Sequence, residues 1–149
     1  MKKILIPALL AALLSACGGG GSAGGATPSA AAPAAQTPIA PAVVTAPPET
    51  PSYTLSTPSA NLSTDNTSAL IKYAGTTNMA LQGKGNKIWI SDAQAMGTVT
   101  VTGSDNVIVF KPASTVASLT VSAGNTVYLP AGSPIKVEGS GATVNYYTK

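Results

Sequence analysis

One thiol and five carboxylates are the side chains of this 149-residue sequence that could do chemistry. The thiol is Cys17, and the acids are Glu49, Asp65, Asp92, Asp105 and Glu138. There is no histidine, and all eight basic residues are lysines. A lone cysteine has no disulfide partner within the chain, and no imidazole can activate it or complete a serine triad. The usual zinc donor sets are likewise excluded. Paired carboxylates can divide acid and base roles between them. Asp65 and Asp105, with Lys84 or Lys87 between them in sequence, are the candidates for such a pair. No Asp-x-Asp-x-Asp-Gly loop or Gly-Gly-x-Gly-x-Asp array argues for calcium. Gly18 to Gly21 is framed by neither a strand nor a Lys-Ser/Thr, so it is no phosphate loop. No metal, no cofactor and no catalytic residue is expected.

Cys17 closes a segment laid out as an export signal. Met1-Lys2-Lys3 gives a positive start, and Ile4 to Leu14 gives 11 mostly apolar residues. That length suits a signal and falls short of the ~18–20 residues that span a bilayer. The run Leu14-Ser15-Ala16-Cys17 resembles the lipobox of bacterial lipoproteins. The resemblance implies that the Cys17 sulfur takes a diacylglycerol, that a peptidase cuts between Ala16 and Cys17, and that the new amino terminus is acylated too. Two or more acyl chains, at ~0.8 kcal/mol per buried CH₂, make anchoring lasting where one does not. Gly18 follows, and by similarity to enteric sorting rules the absence of Asp there points to the outer membrane. The expected location is the cell envelope, with a membrane as partner through the N-terminal lipid. Removing residues 1–16 also removes Lys2 and Lys3, which lowers the formal charge from +3 to about +1. So weak a field steers neither nucleic acid nor anionic lipid, and no nucleic-acid partner is expected.

Residues 17–52 read as the lipidated cysteine and a tether. Seven of the 12 prolines lie between Pro28 and Pro51, among Gly, Ala, Ser and Thr. Such a stretch buries too little apolar surface to offset chain entropy, so disorder is predicted. As a coil, its length corresponds to a reach of about 30–35 Å.

The elements that must position the acids and aromatics lie in residues 53–149, where the sequence repeats itself. Asn86, Asn106 and Asn125 recur at intervals of 20 and 19, and Asn66 lies 20 upstream. Each follows a short polar turn. Two residues after the last three come Ile88, Ile108 and Val127; four after come Ile90, Phe110 and Leu129. Before the turns stand Met79/Leu81, Val99/Val101 and Leu119/Val121, with Ile135/Val137 as a further pair. Residues two apart share one face of a strand. Each repeat is therefore strand, polar corner, strand, and only stacking can bury its single apolar face. The expected fold is all-β: a short parallel β-helix of about four rungs with a ~20-residue period, an antiparallel β-sandwich being the alternative. A corner asparagine tolerates left-handed backbone and can bond to the asparagine of the next rung. The first rung, around Leu62, Asn66 and Leu70, reads as a degenerate cap. The run Val99-Thr100-Val101-Thr102-Gly103-Ser104-Asp105-Asn106-Val107-Ile108-Val109-Phe110 resembles the repeat of a bacterial lipoprotein family defined by a domain of unknown function. The resemblance covers Met79 to Tyr147, implies export and a β-helical repeat, and brings no catalytic residues. The chain departs from the pattern at Ala142, where asparagine is replaced.

Such a stack would carry Trp89, Val109 and Tyr128 outward on one face at rung spacing. Flat aromatics on a regular β-face suit sugar rings or peptide strands, which makes cell-wall glycan or another envelope protein the candidate partner. The plainer alternatives are β-propensity at outward positions, or a tether folded over them. The same stack would set Asp65 and Asp105 about 9–10 Å apart, two rungs at ~4.7–4.9 Å. The functional expectation is a lipid-anchored envelope protein with a non-enzymatic structural or interaction module. The alternative is a small polysaccharide-active β-helix enzyme.

Overall fold

A computed structural model describes residues 43–148; Ala16, Cys17 and the tether up to residue 42 lie outside the described residues. Among the described residues every regular element is a strand. In chain order these are β1 (Val43–Val44), β2 (Tyr53–Leu55), β3 (Ser59–Leu62), β4 (Ser68–Ile71), β5 (Thr77–Leu81), β6 (Lys87–Ile90), β7 (Ala95–Val101), β8 (Val107–Phe110), β9 (Thr115–Val121), β10 (Thr126–Pro130) and β11 (Thr143–Tyr147). They form two sheets, one ordered β1-β11-β10-β8-β6-β4-β2 and one ordered β3-β5-β7-β9. All pairings are parallel. The chain alternates between the sheets and climbs one rung per turn, a β-solenoid of about five turns with a ~19-residue period. The antiparallel sandwich is thereby excluded.

The inward columns follow the sequence repeat. Ile88 lies beside Ile108, and Ile108 beside Val127. Ile71, Ile90 and Phe110 form a second column, which Leu129 and Tyr146 continue. In the other sheet Met79, Val99 and Leu119 stack, as do Leu81, Val101 and Val121. These side chains make one buried core between the sheets. Removing a Leu or Ile side chain from water contributes about 1.5–3 kcal/mol, so the columns are the main apolar term in holding the rungs together.

The first rung is offset from the expected register. Ser68 pairs with Lys87, so Ala69 and Ile71 point inward and Leu70 faces outward beside Trp89. Thr67 thus takes the place of Asn86, and Asn66 that of Gly85. The reason is a β-bulge. Thr77 pairs with Met96 but Met79 pairs with Val99, so Asn78 opposes two residues, Gly97 and Thr98. The Thr98 N–H donates to the Asn78 side-chain oxygen at 2.8 Å. The extra residue makes the turn from Ile88 to Ile108 20 residues long where the turn below it, Ala69 to Ile88, has 19, so a fixed 20-residue count misaligns the first rung. At the last turn, Thr120 bridges to Glu138, so Val137 rather than Ile135 takes the place above Leu119.

The ordered unit also begins earlier than Tyr53. Val43 and Val44 pair with Tyr146 and Tyr147 at the last strand. The chain then runs back across the outer face of the larger sheet. Ala46 packs on Trp89, Val109 and Tyr147, and Glu49 pairs with Lys111. The Ser52 N–H donates to the Ser68 carbonyl at 2.9 Å before β2 joins β4. Residues 43–52, predicted to be disordered, are a strap. Composition gave them too little apolar surface to fold alone, but docking needs only a surface that the rest of the chain supplies.

Candidate functional site

Three features gather the residues singled out by sequence, and only one encloses a site. The first is the asparagine corner. Asn86, Asn106 and Asn125 are buried. The Asn86 backbone N–H and Nδ2 both donate to Asn106 Oδ1, at 2.8 and 3.1 Å. Asn106 repeats this with Asn125 Oδ1, both at 3.0 Å. Nδ2 of Asn106 and of Asn125 also donates to the carbonyls of Gly83 and Gly103, at 2.9 and 2.8 Å. The ladder between rungs is therefore present, and it extends down to Thr67, whose N–H and hydroxyl donate to Asn86 Oδ1. The left-handed conformation sits one residue earlier than expected, at Gly85, Asp105 and Gly124 (φ 69°, 57° and 78°), while Asn66 itself has φ 51°. Asn66 is the left-handed turn residue of its rung and Thr67 is the ladder residue. With the amides of Asn86, Asn106 and Asn125 engaged internally, this corner is structural.

The second feature is the acidic corner. Asp65 accepts the Lys84 backbone N–H at 2.7 Å, and Lys84 Nζ lies 3.5 Å from Asp105. Lys84 thus meets Asp65 through its backbone and Asp105 through its ammonium. They stand on a convex turn with Lys84 and Asp105 about two-thirds exposed (67% and 61%), where water screens their interaction. Lys87 is exposed on β6.

The third feature is the outer face. Leu70, Trp89, Val109 and Tyr128 do form an outward column. It is not the open platform expected: Trp89 is 1% exposed and Val109 3%, with Tyr128 half-buried. The strap and Tyr147 cover them, because outward apolar side chains in register make a surface on which a second layer of chain gains by docking. The Tyr147 hydroxyl donates to the Phe110 carbonyl at 2.7 Å and fixes that ring. Burial, with the Asp92 carboxylate as a smaller contribution, pushes the Tyr147 phenol above its usual pKa. Lys111 Nζ pairs with Glu49 of the strap and lies 3.9 Å from Asp92. A cavity of about 210 Å³ remains beside Trp89, bounded by Pro47, Tyr147 and this charged trio. The indole Nε1 is buried with no hydrogen-bond acceptor among the described residues.

Sequence reasoning found Trp89, Val109 and Tyr128 but missed Glu49, Lys111 and Tyr147, which enclose them. Glu49 lies in a composition-defined tether, and no periodicity links it to Lys111. Gln94 was missed as well: it is buried at the other corner, accepting the Tyr73 N–H at 2.7 Å and donating to the Gly75 carbonyl at 2.9 Å.

Comparison with protein-family models, with curated proteins and with solved structures finds no match to this chain.

Proposed function

We propose that this chain is a lipid-anchored protein of the bacterial cell envelope, related to lipoproteins with a β-helical repeat. Its solenoid serves as a rigid, non-enzymatic structural and interaction module. The observation that carries the reading is the run Leu14-Ser15-Ala16-Cys17, with its positive and apolar lead, followed by a Gly- and Pro-rich spacer that ends at a folded unit. Cys17 is the single cysteine of the chain, so its sulfur has no intramolecular disulfide to form. The exposed setting of Asp65, Lys84 and Asp105 supports a non-enzymatic reading, since acid–base catalysis needs carboxylates converging on an enclosed substrate.

Lipidation is tested by labelling cells with a tagged fatty acid. The wild-type chain is expected to carry the label and to sediment with membranes. Cys17→Ser is expected to lose the label and to accumulate as uncleaved precursor. Unchanged labelling and processing of Cys17→Ser would count against the anchor. Release of reducing ends from acidic glycans in the presence of calcium would count against the non-enzymatic module.

A further inference from the structure

The strap uses the outer face of the solenoid as a docking groove. Ala46 packs against Trp89, Val109 and Tyr147, and Glu49 pairs with Lys111. Between these two anchors lie Pro47 and Pro48. Prolines hold a chain extended and leave it little entropy to lose on docking. Aromatic side chains receiving an extended proline-rich segment is a recurring mode of peptide recognition. Here a lysine at the end of the groove adds recognition of an acid.

The strap fits this groove incompletely. The buried Trp89 Nε1–H finds no acceptor among the described residues, the strap included, and so is a donor that a ligand carbonyl would satisfy. Trp89 also lines a cavity of about 210 Å³ together with Pro47, Glu49, Lys111 and Tyr147. An occupant that presents a carbonyl to the indole and fills that space has interactions available that the strap does not make.

We infer that the Trp89–Val109–Tyr147 face is a peptide-binding site held in cis by residues 46–49. Its external ligand is an extended proline-rich segment of another protein, with a carboxylate for Lys111 and a backbone carbonyl for Trp89 Nε1. This names the partner class of the interaction module proposed above and rests on that part of the reading, but not on the lipid. Covalent attachment gives the strap a high effective concentration, so the intact chain binds such a peptide weakly and strap release strengthens binding.

Trp89 is the only tryptophan in the chain, so its fluorescence reports the site directly. The probe is a labelled peptide with the sequence of residues 44–51, added to the detergent-solubilised full chain. In Glu49→Lys, repulsion from Lys111 is expected to free the strap, moving Trp89 emission to longer wavelength. The peptide is then expected to bind at least about tenfold more tightly than to wild type, as the competent fraction rises, and to restore the shorter wavelength. Glu49→Gln, which removes the ion pair without repulsion, is expected to move both readouts the same way by less. A peptide with Gln in place of its Glu is expected to bind more weakly to Glu49→Lys. Emission that shifts without saturable peptide binding would overturn the site, as would restoration by soluble cell-wall glycan and not by peptide. Emission and binding unchanged in both variants would overturn the displaceable strap. Absent peptide binding in a normally lipidated chain refutes this inference alone, whereas peptide binding by an unlipidated chain refutes the anchor alone.

Discussion

Asn106 both accepts and donates across rungs: its Oδ1 takes the Asn86 N–H and its Nδ2 reaches Asn125 and Gly83. Asn106→Ala strands the buried Asn86 N–H and the Gly83 carbonyl. At about 1–3 kcal/mol for each buried group left unpaired, the variant is expected to lose about 3 kcal/mol in urea denaturation. Ala93 and Ala113, 20 residues apart, work in the opposite sense. Both hold left-handed backbone (φ 56° and 59°), at a corner where the next turn has Gly132 (φ 77°). The left-handed conformation costs a residue with a Cβ about 1–2 kcal/mol, and glycine returns part of that as unfolded-chain entropy. Ala113→Gly is thus expected to stabilise the protein by about 0.5–1 kcal/mol in the same assay. Tyr147 adds a pH dependence. Its phenol is harder to ionise in the folded chain than in the unfolded one. Above the ordinary tyrosine pKa near 10 the unfolded state therefore loses the proton first. The Tyr147 contribution is complete below that pH and is lost as pH rises through the folded-state pKa. Tyr147→Phe is expected to flatten this part of the alkaline stability profile, while lowering stability at neutral pH by about 1 kcal/mol through the lost bond to Phe110.

At the scale of the strands, the close stacking of rungs explains which glycines are needed. A Cβ on Gly103 would run into the carbonyl oxygen of Gly83 on the rung below, the same carbonyl that Asn106 engages. Gly103→Ala must therefore spread two rungs that the asparagine ladder and the inward columns hold together. It is expected to cost more than about 2 kcal/mol, comparable with a buried-core lesion, as a lowered denaturation midpoint would show. The bulge in β7 follows a related logic. Gly97 leaves space for the Asn78 side chain, which caps the Thr98 N–H, so the extra residue is accommodated without an orphaned donor.

At the scale of the whole molecule, the strap changes how a stack of rungs comes apart. Repeat arrays gain stability from nearest-neighbour contacts and can fray from their ends. Here Val43 and Val44 hold the last strand while Ser52 holds β4, so one short segment links rungs that are remote in the stack. Thermal melts followed by Trp89 emission and by far-UV circular dichroism are expected to coincide in the wild-type chain. Val44→Pro takes the backbone N–H out of one of the two residues of β1 and adds a ring where β1 lies against β11. In that variant the Trp89 transition is expected to precede the backbone transition; coincident melts would mean that the strap does not depend on β1.

The inward columns were legible in the sequence because alternation within a strand and recurrence of like residues at each turn are local signals. Ile88, Ile108 and Val127 declare a stack before any coordinate is known. The asparagines likewise announced a ladder, since an amide repeated at one corner meets its own kind on the next rung. What folding in three dimensions decided was register and cover. The bulge at Gly97 shifts the first rung by one residue, and no count of fixed period detects it. The burial of Trp89 and the pairing of Glu49 with Lys111 depend on a segment that makes no structure alone and gains it by docking on a surface built from distant rungs. Periodicity is written along the chain, whereas docking of an aperiodic segment is an energy between surfaces that exist only once the chain has folded.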